Sequence, residues 1–244
     1  VRALAFVYFP ALAKREEKSA LKHMHKHIKD PHKRSALTPD YPMGCKRVLI
    51  SNNYYPAMAD DKVTLVTEVI ERVVADGVQT RDGQTYPADV LIYGTGFAAT
   101  EFLSPMQITG LHGQDLNQTW QSGAEAYKGI CISGFPNLFM LYGPNTNLGH
   151  NSIIYMLESQ FRYISQCLQT LKRRRLRYIN VRTEAQSSYN QRIQHAAKRT
   201  VWAQGCSSWY LTAEGKQTVN WPGFTFAYRH LTRKPRLSDY DCVR

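Results

Sequence analysis

The chain has 244 residues, with 31 Lys and Arg against 19 Asp and Glu, a formal net charge of +12. Hydrophobic residues at 43% and charged residues at 20% exclude wholesale disorder, and no apolar run reaches the roughly 18 residues that a membrane-spanning helix needs. The positive balance suits an anionic partner: nucleic acid, a membrane surface or a phosphorylated cofactor.

Five scattered cysteines (Cys45, Cys131, Cys167, Cys206 and Cys242) form no CxxC pair. They signal neither a zinc site nor a disulfide scaffold, and reduced thiols in a cytoplasmic protein are the expectation. The chain opens on Val1, already in mid-pattern, and reads as a piece of a longer protein.

From Leu12 to Asp30 the apolar residues Ala20, Leu21, Met24 and Ile28 recur at helical spacing among lysines. Asp30-Pro31 is the expected stop, because the residue before proline avoids the helical region. His23, His25 and His27 read as part of a solvated basic face, since no Cys, Asp or Glu in that turn completes a metal site. After turn chemistry at Pro39–Gly44, short strands are expected at Arg47–Ser51, Val63–Val66, Ile70–Val74 and Gly77–Thr80, with turns at Asp60-Asp61, Asp76-Gly77 and Asp82-Gly83. Asp89–Gly96 is the strongest expected strand, because Val90, Leu91, Ile92 and Tyr93 run unbroken as in strands buried on both faces. A loop-rich passage covers Ala98 to Gly134. Asn137–Tyr142 follows as another buried strand. From Ser152 to about Arg175 a long helix is predicted, with Ile153, Met156, Leu157, Phe161, Ile164, Cys167, Leu168 and Leu171 as its apolar stripe and cations at its C-terminus. A second helix is predicted from Glu184 to Val201, before an aromatic, turn-rich tail.

Four segments are candidates for chemistry. Gly94, Gly96 and Ala99 fit GxGxxA after a strand, yet Thr100–Pro105 makes a poor helix to face a pyrophosphate, so a strand leaving through glycines is the plainer reading. Tyr142–Ser152 is dense in Gly, Asn and His and precedes the long helix. Asn151 or Ser152 would cap that helix, and its free N–H groups would favour an anion. Lys46 and Arg47 in Gly44-Cys45-Lys46-Arg47 are either solvated or an oxyanion contact. Lys172–Arg177 is a charge run without a nucleic-acid motif beside it.

These residues carry a resemblance. Asp89–Phe97 is similar to the D-x-L-I-x-A-T-G-F segment of the class B flavoprotein monooxygenases, with Gly94 where that family commonly has Ala. Phe135-Pro136-Asn137-Leu138-Phe139, Gly143-Pro144-Asn145 and Leu148-Gly149-His150-Asn151-Ser152 resemble the family's flavin-side segment. Gly44-Cys45-Lys46-Arg47 with Ser51–Ala57, and Ser208-Trp209-Tyr210 with Trp221-Pro222-Gly223, resemble its Baeyer–Villiger branch. Neither of the family's two GxGxxG loops nor its Baeyer–Villiger fingerprint occurs in this chain.

The resemblance implies an α/β, Rossmann-like flavoprotein fold with two dinucleotide domains, of which this chain is the C-terminal half. Residues 1–45 would be a helical insertion of the NADPH domain. Residues 46–96 would be the C-terminal part of the NADPH-binding domain, and 97–244 that of the FAD-binding domain. FAD and NADPH are the implied cofactors, and a ketone, O2 and the N-terminal half of the same protein the implied partners, with no nucleic acid expected. Arg47 matches the arginine that stabilises the anion of the oxygenated flavin and the tetrahedral ketone adduct. Trp209 matches a tryptophan near the nicotinamide nucleotide. Lys46, Gly96, Phe97, Asn145 and Leu148 fall in the matched cofactor segments, and Gly149, His150, Asn151 and Ser152 match the turn facing the flavin ring. Arg47 in its Gly-Cys-Lys-Arg context favours ketone over N- or S-oxygenation. A basic nucleic-acid-binding module, resting on net charge and the Lys172–Arg177 run, is the reading from another class.

Overall fold

In the computed structural model, which describes residues 4–149, 151–203 and 208–244, Asp30-Pro31 both stops one helix and starts the next. Helix α1 (Ala13–His27) ends before the proline. Helix α2 (Pro31–Leu37) begins on it, a helix that the sequence reading did not foresee. Asp30 is its N-cap, accepting the His32 N–H at 2.9 Å, and Pro31 occupies the first turn, where its missing N–H costs nothing. Among the described residues no His, Cys, Asp and Glu cluster could hold a metal ion, so the histidines of α1 remain unassembled as ligands.

The chain divides into two compact units, residues 1–16, 41–48 and 98–244 in one and residues 17–40 and 49–97 in the other. In the second, Lys33 of α2 ties down the backbone near the short helix α3 (Tyr54–Met58), donating from Nζ to the carbonyls of Met58 at 2.8 Å and Val63 at 3.0 Å. This unit also holds an antiparallel sheet of β1 (Ile70–Val74), β2 (Gly77–Thr80) and β3 (Thr85–Pro87), in that order. β1 and β2 fall on the expected residues, with Val74 opposite Gly77 across the Asp76-Gly77 turn. β3 is an addition, set by a turn in which the Thr80 hydroxyl donates to Asp82 and the Asp82 carboxylate accepts the Gln84 N–H.

Three expected strands, at Arg47–Ser51, Val63–Val66 and Asp89–Gly96, pair with no described strand. The last is the most apolar run in the unit, yet Ile92 is 92% exposed. A strand exists only through hydrogen bonds to a neighbour, and composition cannot reveal whether the neighbour is in the same chain. The residues after Ala98 run as turns, so no helix N-terminus follows Gly94-Thr95-Gly96.

In the first unit, α4 (Leu116–Thr119) and the hairpin of β4 (Cys131–Ile132) with β5 (Phe135–Phe139) precede the long helix α5 (Ile153–Arg174). β5 lies earlier than the expected Asn137–Tyr142. Then follow β6 (Tyr178–Val181), α6 (Thr183–Ala197), α7 (Thr225–Leu231) and β7 (Tyr240–Val243). α6 ends short of the expected Val201, and α7 and β7 were not foreseen. α5 is where expected, but its buried face differs. Phe161 and Leu168 are exposed, whereas Ser159, Gln160 and Tyr163 are buried. Counting apolar residues misses this face because its polar members are satisfied internally: the Ser159 hydroxyl donates to the Tyr155 carbonyl at 2.8 Å and Gln160 bonds at both ends of its amide.

Antiparallel pairing of β7 with β6 sets Tyr240 opposite Val181 and carries it into the core. There its hydroxyl meets that of Tyr163 at 2.6 Å and the Cys131 thiol at 3.4 Å. Burial pushes the Cys131 thiol up to about 12, so it packs as an inert group. The expectation of five reduced thiols needs one correction. Cys131, Cys167 and Cys242 are free, but Cys45 is disulfide-bonded, because folding can bring together cysteines that are scattered in sequence.

Among the described residues of this unit one cation is buried. Lys128 is 4% exposed, and its ammonium lies 4.9 Å from the Tyr127 ring centroid and 4.8 Å from that of Tyr163. Burial, only partly offset by Asp239, lowers its pKa from 10.5 to about 8. Below about pH 8 both folded and unfolded chains hold the proton and the full cost of burial is present. Between about 8 and 10.5 the unfolded chain holds more of it, so this group makes stability rise with pH. Lys128→Met should therefore be more stable than the parent at pH 7 by ~1–3 kcal/mol, with the gap closing by pH 10. Urea unfolding at the two pH values checks this; equal stability at pH 7 would contradict it.

Candidate functional site

The site residues of the first unit are anchored by a glycine and a buried cysteine. Gly44 has φ +91°, and a Cβ there would stand 2.7 Å from the Phe6 ring. Only glycine accommodates both conditions. Cys45 is fully buried in a cluster with Phe6, Trp202, Tyr210 and Val219. Lys46 and Arg47 emerge exposed from that anchor. Lys46 is diverted, its ammonium lying 4.3 Å over the Tyr41 ring. The Arg47 charge is felt by two phenols: burial raises the pKa values of Tyr142 and Tyr210, and Arg47 pulls both back down. Trp209 lies against Tyr210 with ring centroids 4.6 Å apart, and Trp202 meets Tyr210 edge-on at 6.3 Å.

Tyr142 also begins the glycine- and asparagine-rich loop. Its N–H donates to Gln160 Oε1 at 2.9 Å and its hydroxyl to Asn147 Oδ1 at 2.6 Å. Asn147 Nδ2 donates to Asn220 Oδ1 at 2.7 Å. The backbones of the two segments join as well: Asn147 N–H donates to the Val219 carbonyl at 3.0 Å, and Trp221 N–H to the Asn147 carbonyl at 2.8 Å. Asn145 is spent on the same scaffold. It is 1% exposed, and its Nδ2 donates to the Gln217 carbonyl at 2.9 Å and to Gln217 Oε1. Leu148 is buried in the main core. Two polar atoms next to this scaffold, Thr218 Oγ1 and Asn220 Nδ2, are buried without a partner among the described residues.

Gly149, Asn151 and Ser152 remain near the surface, while His150 lies outside the described residues. A Cβ at Gly149 would stand 3.6 Å from the Trp202 ring. Ser152 occupies the N-cap position of α5, but its side chain makes no capping bond. Asn151 does not cap the helix interior either. Its Oδ1 accepts the Ser152 N–H at 2.8 Å and its Nδ2 donates to the Thr225 hydroxyl at 3.0 Å. Among the described residues, no side chain takes the first-turn N–H groups of this 22-residue helix. An uncapped N-terminus of that length presents oriented donors and a positive dipole end to an anion.

Arg47, Trp209 and the loop thus belong to one unit. Gly96 and Phe97 belong to the other, where Phe97 is 97% exposed and a Cβ at Gly96 would meet nothing within 4 Å. Sequence reasoning missed Tyr142 and Tyr210 as neighbours of Arg47, and Gln160, Asn147 and Asn220 as the frame. The position of Asn220 beside Trp221-Pro222-Gly223 was the one signal available.

One unit thus carries a guanidinium whose charge is felt by Tyr142 and Tyr210, and the uncapped N-terminus of α5. Over 241 residues the chain is 45% identical to a protein named Baeyer-Villiger monooxygenase from Pseudomonas aeruginosa, covering 98% of this chain and 46% of that protein. This chain is a homologue of Baeyer–Villiger monooxygenases. Among solved structures it resembles oxidized steroid monooxygenase bound to NADP, with a TM-score of 0.85 and 25% identity over 99% of this chain and 47% of the other. It also resembles OTEMO in complex with FAD and NADP, with a TM-score of 0.84 and 26% identity over 98% of this chain and 46% of the other. These likenesses agree with the expected α/β class. The chain spans about half the length of the Baeyer–Villiger relatives that it matches. No protein-family model matches it. Among the described residues no helix is long and apolar enough to cross a membrane.

The bonding pattern separates the loop's frame from its exposed turn. Asn145→Ala leaves the buried Gln217 Oε1 without its donor, while the Gln217 and Asn220 carbonyls keep Gln194 Nε2 and Gln217 Nε2, and should cost about 1–3 kcal/mol. Ser152→Ala removes no capping bond and should cost less than about 0.5 kcal/mol. Urea denaturation of both variants checks the contrast; a loss at Ser152 equal to that at Asn145 would mean that Ser152 does cap the helix.

Proposed function

We propose that this chain is the C-terminal half of an FAD- and NADPH-dependent monooxygenase that inserts one oxygen atom of O2 into a ketone, giving an ester or lactone. The observation that carries the reading is that the exposed Arg47, whose charge is felt by Tyr142 and Tyr210, lies in the unit that holds the Gly143–Ser152 loop, in a chain 45% identical to a named Baeyer-Villiger monooxygenase.

In this reading residues 1–45 are a helical insertion of the NADPH domain, 46–96 its C-terminal part and 97–244 the C-terminal part of the FAD domain. Arg47, near the first boundary, packs with the third of these regions, since residues 41–48 share a unit with 98–244. The residues present fit the anionic side of a flavin. The uncapped start of α5 at Asn151-Ser152, with Gly149 before it, offers backbone donors, and Arg47 adds a cation. Trp209, Lys46, Gly96 and Phe97 are assigned to the nicotinamide side. FAD, when bound, supplies the oxygen chemistry.

Arg47 holds the negative charge that gathers on oxygen as a ketone is attacked, a task for a fixed cation that cannot deprotonate. An N- or S-oxygenating site has no such charge to hold, so Arg47 favours the ketone. The N-terminal half supplies the glycine-rich pyrophosphate loops, which this sequence lacks, and the strands that pair with Arg47–Ser51 and Asp89–Gly96. Cytoplasmic location is part of the proposal; three free thiols favour it and the Cys45 disulfide speaks against it.

In the flavin-loaded enzyme, Arg47→Ala should lower ketone-to-ester turnover by ~10²-fold or more, while loss of flavin absorbance on adding NADPH survives and hydrogen peroxide replaces ester. Arg47→Lys should restore part of the ester yield. Lys46→Ala should leave the ester yield per NADPH consumed near the parent's, any loss falling on NADPH affinity. Ester yield, peroxide yield and the rate of bleaching decide the matter: parental ester yield in Arg47→Ala would refute the assignment, and sulfide oxidation without ester in the parent would favour the S-oxygenating alternative.

A further inference from the structure

A second concentration of positive charge shares no residue with the site described above. Residues 127–128, helix α6, the end of α7 and the segment after it line a cavity of about 700 Å³ that is open to solvent. Lys128, Arg192, Arg233, Lys234 and Arg236 line it, with His230 and the single carboxylate of Asp239. Five cations thus face one anion, and that anion is already engaged, because Asp239 Oδ2 accepts the Tyr127 hydroxyl at 2.6 Å. None of the five has an ion-pair partner within 4 Å among the described residues.

Exposed arginines alone would be an ordinary basic surface. Lys128 is different. It is 4% exposed, its ammonium rests on two tyrosine rings rather than on a carboxylate, and it lines this cavity. A buried, unpaired cation is costly to a fold. The burial that depresses its pKa is relieved when an anion enters, since a nearby negative charge favours the protonated form. The groups facing it, Asp239, Cys131, Cys167 and Arg236, do not provide that relief in full.

We propose that this cavity binds the phosphate group of a small phosphorylated molecule, with the Lys128 ammonium and the Arg192 and Arg236 guanidinium groups as its donors. The local charge excess favours a multiply charged anion over a single carboxylate, and guanidinium forks match phosphate oxygens in pairs. The volume is that of a small-ligand pocket. Burial of Lys128 selects a ligand that enters the cavity. A nucleic acid duplex would engage the exposed arginines and leave Lys128 untouched.

The test is calorimetric titration of the whole chain at low ionic strength with inorganic phosphate and with inorganic pyrophosphate. Saturable binding at one site is expected, stronger for pyrophosphate. Lys128→Met and Arg236→Gln should each weaken it at least tenfold. Arg236 is exposed, so its replacement tests the site without disturbing the core. Arg174→Gln, in the basic run that ends α5, removes the same charge outside the cavity and should leave binding unchanged. Absence of saturable binding, equal weakening by Arg174→Gln, or binding that persists in Lys128→Met would each overturn the proposal. So would tight binding of a DNA duplex that Lys128→Met leaves intact. No flavin is read in this titration, so its result stands apart from that of the ketone assay.

Discussion

The amide of Gln160 holds the first unit together. Fully buried on α5, it accepts the Tyr142 N–H on Oε1 and donates from Nε2 to the Tyr228 hydroxyl at 3.0 Å, which in turn donates to the Lys128 carbonyl at 2.7 Å. One side chain therefore fixes the entry to the glycine-asparagine loop, the face of α7 and the turn at 127–129 relative to the long helix. Each bond is worth only about 1 kcal/mol net, but a buried donor or acceptor left unmet costs more than the bond contributes. An apolar residue of the same size at 160 would pack, yet it would leave the Tyr142 N–H without an acceptor and let the loop drift. The geometry of both charged regions, at Arg47 and at Lys128, rests on this polar core.

That dependence explains what could be read from the sequence. β1, β2, α5 and α6 were legible because periodicity and turn residues are local properties. The Gly143–Ser152 loop stood out for the same reason, through its density of Gly and Asn before an amphipathic helix. What failed was pairing at long range. Asn147 and Asn220 are 73 residues apart and meet at 2.7 Å. β7 exists because Val243 and Tyr240 find β6, 65 and 59 residues earlier in the chain. Gln160 looked like the polar side of α5 because its partners, Tyr142 and Tyr228, are 18 and 68 residues away, whereas Ser159 is satisfied within the helix by the Tyr155 carbonyl. Asp89–Gly96 failed in the opposite way: its composition is that of an interior strand, and no described strand lies beside it.

The net charge of +12 was the first clue to an anionic ligand, but a total cannot locate its own parts. Folding separates it into unlike environments. Arg47 is exposed, and its charge is felt by the phenols of Tyr142 and Tyr210. Lys128 is buried with arginines around it. Arg173 and Arg174 close the last turn of α5, where they favourably oppose its dipole. The same residue types thus serve a candidate charge-stabilising position, a candidate ligand pocket and ordinary helix termination, and only their burial and partners distinguish the three.

The bare apolar segment at Val90-Leu91-Ile92-Tyr93 has a consequence for how the chain behaves in a crowded solution. Its four side chains are unbroken by proline or glycine, and Val and Ile favour the pleated backbone. Such a window can pair with its copy in another molecule, stacking identical strands in register. Asp89 is the one charged residue bordering it, a single gatekeeper whose repulsion between stacked copies opposes growth. The chain's colloidal fate is therefore set by concentration: folding within one molecule does not depend on it, whereas self-templating climbs steeply with it.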